Sequence, residues 1–91
     1  MAKDPGHGKR VVATISSVKG KCNAGHQEGE TFDISCHNTA GLCGTFYHHI
    51  FPNLCTFQHG GNLHWWKGDT IQISCPDHAI VKMKLERFDR E

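Results

Sequence analysis

The stretch AGLCGTFYHHIF, residues 40–51, decides how this chain is read, because it alone carries a helical period. Leu42, Phe46 and Ile50 recur every four positions and would line one apolar face. Thr39 or Asn38 stands where a cap belongs, and Pro52 where a helix stops. Gly41 and Gly44 weaken the segment, so a short helix is expected. Working outward, the flanking segments alternate with a period of two, as strands do. Residues 10–17 read RVVATISS. Residues 31–36, TFDISC, set Phe32, Ile34 and Cys36 on one face. Residues 70–75, TIQISC, and 79–88, with Val81, Met83 and Leu85 in phase, complete the set. The order β-β-α-β-β predicts a small α+β fold: a mostly antiparallel sheet of about four strands packed by one short helix. Residues 1–9 read as a flexible leader and 10–91 as a single small domain.

Composition narrows the function classes. The net charge is +1, with lysines and arginines scattered, so no concentrated basic face for nucleic acid is expected. No apolar run approaches membrane-spanning length, and Met1-Ala-Lys-Asp-Pro-Gly opens no secretory signal, so the chain reads as cytoplasmic. The unusual counts are five Cys and eight His in 91 residues. An odd number of cysteines in a reducing compartment fits a disulfide framework poorly and favours metal, redox or catalytic roles. A domain this small gains from a staple such as a metal or an oligomeric contact. A homo-oligomer or a place in a larger protein complex is therefore kept as an expectation.

Cys22 and His26 stand four positions apart across a turn, a spacing compatible with two ligands of one tetrahedral metal. Gly25 permits the tight backbone this requires. Cys43 lies near the helix start, where the positive end of the helix dipole favours thiolate. Cys75 ends a strand before Pro76. Together these form a candidate Cys3His set for zinc or iron, drawn from three segments. The plainer alternative is that Cys43 and Cys75 are small core hydrophobes. Cys36 could replace one ligand, and four cysteines could hold an iron–sulfur cluster, although the spacings match no ferredoxin run. Cys55, beside Leu54 and Phe57, reads as core filler. His48, His59 and His64 are secondary candidates. His48 and His49, being adjacent, cannot both serve one site from a regular helix. Trp65 and Trp66, next to Gly60-Gly61, are candidates for lining a pocket or for capping the core edge.

Read together, these segments resemble a widespread family of small, uncharacterised prokaryotic proteins of about this length, frequent in anaerobic bacteria and archaea and sometimes present as tandem copies. The resemblance covers roughly residues 10–88. It rests on Lys19-Gly20-Lys21-Cys22-Asn23-Ala24-Gly25-His26-Gln27-Glu28-Gly29-Glu30-Thr31-Phe32, then Gly41-Leu42-Cys43, Phe51-Pro52, Gly60-Gly61, Trp65 or Trp66, and Cys75-Pro76-Asp77. It implies that Cys22, His26, Cys43 and Cys75 occupy motif positions, whereas Cys36 and Cys55 are additions of this chain. Two readings follow. One is a metal-binding protein with a Cys3His zinc or iron centre, structural or redox-active. The other is a thiol enzyme or redox protein with Cys43 as the reactive thiolate and His26 or His48 as base. A non-catalytic accessory subunit is the third.

Overall fold

The computed structural model describes residues 3–66 and 68–90. Five elements follow in order: β1 (Arg10–Val18), β2 (Thr31–Ile34), α1 (Gly44–Gln58), β3 (Thr70–Ser74) and β4 (Val81–Phe88). The strands form one antiparallel sheet in the order β2-β1-β4-β3, with the single helix across one face. The small α+β fold expected from the alternating segments is the fold adopted.

Alternation dictates which face is buried. Val11, Ala13 and Ile15 of β1 face inward with Ile34 of β2, Ile71 of β3, and Val81, Met83 and Leu85 of β4. Ala13 lies between Phe32 on one side and Leu85 on the other and is fully buried. A bulge at Ser16 shifts the β1–β4 register, so that Val18 comes opposite Val81. Against this face α1 lays Phe46, Ile50, Leu54 and Phe57, all buried.

The helix differs from its expected limits at both ends. It begins at Gly44 and not near residue 40, because Ala40 and Gly41 take left-handed φ values of 55° and 92°. Asn38 caps the amide of Ala40 in a turn and not the helix; Cys43 is the residue at the N-cap. Nor does Pro52 end the helix, which runs through it to Gln58. Pro52 is exposed on the solvent side, so its ring disturbs no core contact. An interior proline costs about 3 kcal/mol, but burying Leu54 and Phe57 contributes about 1.5–3 kcal/mol each and prevails. The apolar stripe of Phe46 and Ile50 therefore continues in the same period.

The stop lies at Gly60-Gly61. Gly60 takes φ +84°, the Gly61 amide donates to the Thr56 carbonyl (2.9 Å), and the Gly60 amide donates to Phe57 (3.2 Å). This is a Schellman ending. A Cβ on Gly61 would lie 2.8 Å from Thr56 Cγ2. The pair thus serves the helix end. Arg87, buried on the inner face of β4, donates to the carbonyls of Phe57 (2.9 Å) and Gly61 (2.7 Å) and pairs with Asp69 (2.8 Å). A cation at a helix C-terminus is favourable, and here every end of its fork is occupied. No helix among the described residues is long and apolar enough to cross a membrane.

Strand direction sorts the cysteines. Because the sheet is antiparallel throughout, β1 and β3 end at the same edge of the sheet, and β2 ends at the opposite one. The helix starts beside the first of these edges and ends beside the second.

Candidate functional site

At the edge where β1 and β3 end, three chain segments meet. The β1–β2 loop turns at Cys22-Asn23-Ala24-Gly25, closed by the Gly25 amide donating to the Cys22 carbonyl (2.9 Å) with Gly25 at φ +82°. The Lys19 amide donates to the Ile80 carbonyl (2.8 Å) and draws this loop to the β3–β4 turn. In that turn His78 and Ala79 hold left-handed φ values of 53° and 56° without being glycine, a strained geometry of about 1 kcal/mol or more each. The start of α1 is the third segment. Between them lies a cavity of about 190 Å³ lined by Cys22, His26, Cys43, Cys75 and Asp77. All four residues of the expected Cys3His set thus line one cavity. All five cysteines of the chain are unlinked and half-buried.

His26 is the buried polar group of this cavity. Its Nε2 accepts the backbone N–H of Cys43 (3.0 Å), so the ring proton sits on Nδ1, which donates to Glu30 Oε1 (2.9 Å). Its ring packs edge-on against Phe32 at 5.3 Å. The same Glu30 oxygen accepts the Gln27 amide (2.9 Å). That amide first, and His26 second, hold the Glu30 carboxyl below its ordinary range. His26 therefore caps the helix start through space, since Cys43 makes no side-chain cap of its own. Cys75 is held from two sides: its sulfur accepts the Val81 amide (3.3 Å) and its thiol reaches the Asp77 carbonyl (3.6 Å). The Val81 N–H aimed at the sulfur would also stabilise it as a thiolate. As the side chains stand, no three His, Cys, Asp or Glu among the described residues are gathered closely enough to hold a metal ion. The thiols face the cavity and do not converge on one point.

The secondary candidates lie elsewhere. Cys36 is at the far edge, where β2 ends, and its sulfur is 3.0 Å from that of Cys55. It cannot substitute at the cavity. Cys55, expected as core filler, is half of this pair. The only signal for it in the sequence was that both cysteines fall outside the motif order. His48 is exposed beside Phe51 and Pro52. His59 is exposed at the helix C-cap, bonded to the Cys55 carbonyl (2.9 Å). His64 is exposed and packs edge-on to Trp65 (4.8 Å). Trp66 packs on Phe57 at 5.7 Å and closes the core edge, whereas Trp65 is 63 % exposed. The two tryptophans line a shallow groove with His49, Asn53 and β3. No family model, curated protein or solved structure matches this chain, so the site rests on its own residues.

Proposed function

We propose that the chain is a small metal-binding protein in which Cys22, Cys43 and Cys75 offer thiolates, and His26 an imidazole, to one zinc or iron ion. The observation that carries the reading is that these four side chains, from three separate segments, line one cavity. Three soft ligands and an imidazole suit zinc or iron. His26 already has the carboxylate partner on Nδ1 that metal-bound histidines commonly have, with Nε2 aimed at the N-cap. Binding would exchange one amide hydrogen bond for a metal bond. Leaving the Cys43 amide without that hydrogen bond costs about 1–3 kcal/mol, against about 10–16 kcal/mol for structural zinc in small domains.

The reading in which Cys43 is a nucleophile has weaker support. The His26 nitrogen that would serve as base is taken by the Cys43 amide, and His48 faces solvent away from the cavity. Elemental analysis and a visible spectrum of protein purified without oxygen test the proposal. About one zinc per chain without colour means a structural centre, and iron with a charge-transfer band a redox centre. Protein that holds neither, and takes up neither when titrated, refutes it.

A further inference from the structure

The two cysteines excluded from the cavity are held together by a purpose-built arrangement. Cys36 lies in the turn after β2, where Ser35 and Asn38 bridge. Two helix residues on either side of Cys55 grip this turn. The Tyr47 hydroxyl donates to the Ser35 carbonyl (2.6 Å), and the Cys36 amide donates to Oε1 of the fully buried Gln58 (2.8 Å). Between these clamps the Cys36 thiol donates to Cys55 Sγ at 3.0 Å. A disulfide needs about 2.05 Å, an approach of roughly 1 Å. Burial, then the neighbouring sulfur, pushes the Cys36 thiol up to about 12. Cys36 also opens onto a recess of about 490 Å³ beside His37, Asn38 and Tyr47, room for a small reagent to reach the sulfur.

We propose that Cys36 and Cys55 form a redox-active dithiol whose substrate class is a low-molecular-weight disulfide. Cys36, which the recess exposes, loses its proton and attacks a sulfur of RS–SR, forming a mixed disulfide and releasing RS⁻. The other cysteine, losing its proton, attacks the protein sulfur of that mixed disulfide and releases the second RS⁻. Two protein S–H bonds and one RS–SR bond are lost, and one protein disulfide and two RSH are formed. The protein loses two electrons and two protons, and the small disulfide gains them. The product ties the end of β2 to α1. This proposal is independent of the metal reading, because the two groups of thiols lie at opposite edges of the sheet.

The test equilibrates the intact protein with mixtures of reduced and oxidised glutathione, alkylates the remaining thiols and maps the peptides. Chymotrypsin is required, because no Lys or Arg lies between Cys22 and Trp66. The expected result is one linked species joining Cys36 to Cys55, protected from alkylation and restored by reduced glutathione. A Cys55→Ser variant should instead retain glutathione on Cys36, since the resolving thiol is gone. Complete alkylation of both cysteines under oxidised glutathione would overturn the proposal. So would linkage only among Cys22, Cys43 and Cys75, or glutathione adducts on the parent protein that never resolve.

Discussion

Replacing His26 with Phe isolates what the imidazole does at the helix start. The ring stays, so the edge contact with Phe32 at 5.3 Å survives, but both nitrogens are lost. The Glu30 side chain is 40 % exposed and keeps the Gln27 amide, so it returns to water at little cost. The Cys43 amide, which gives its hydrogen to Nε2 at 3.0 Å in a side chain only 7 % exposed, is left without a partner. An unsatisfied buried donor costs about 1–3 kcal/mol. For a domain of this size each kcal/mol lowers the midpoint by about 4–8 °C. Thermal unfolding followed by far-ultraviolet circular dichroism, in chelator, should therefore show a fall of about 4–24 °C. His26→Gln, whose amide oxygen can accept the same N–H, should recover part of it. On addition of zinc the parent midpoint should rise by mass action, and that of His26→Phe should rise less. A His26→Phe protein that unfolds at the parent midpoint in chelator would refute the assignment of His26 as the acceptor for the helix start.

Other predictions follow from the same geometry. Cys43→Ser should lower metal content and thermal midpoint together; full metal content measured by elemental analysis would remove Cys43 from the ligand set. Leu54→Ala, at a fully buried position beyond Pro52, should cost about 2–5 kcal/mol in urea unfolding with an unchanged slope. Pro52→Ala should stabilise by about 1–3 kcal/mol, because it restores a helical N–H at an exposed position with no core contact to lose. Glu30 has its folded value depressed below 4.5 by the Gln27 amide and then by His26. Its contribution is thus complete above the unfolded value and is lost as pH falls through 4.5 toward the lower folded one. Glu30→Gln should flatten that acid limb in denaturant titrations between pH 6 and 3.

Much of the fold was legible in period alone. Val11, Ala13 and Ile15, or Val81, Met83 and Leu85, fall in phase with a pleated strand whatever the rest of the chain does, because the backbone sends alternate side chains to opposite faces. The positions of Cys22, His26, Cys43 and Cys75 at turns and element ends were legible in the same way, as was the solvent-facing register of Thr31 and Asp33. Local rules misjudged the helix. Propensity at Pro52 measures the cost of a missing N–H, but the burial of Leu54 and Phe57 that outweighs it exists only once the sheet is in place.

What only the tertiary structure decided was which cysteine meets which. Residues 33–38 and 72–78 both carry Ile-Ser-Cys at a strand end, and their shared alternation does not say that the two cysteines lie far apart. The antiparallel order β2-β1-β4-β3 sends those ends to opposite edges of the sheet. Cys75 therefore arrives at the cavity with Cys22, His26 and Cys43, and Cys36 arrives against Cys55. Side-chain chemistry and spacing belong to the sequence. Grouping depends on strand direction, which is set by pairing between segments distant in the chain.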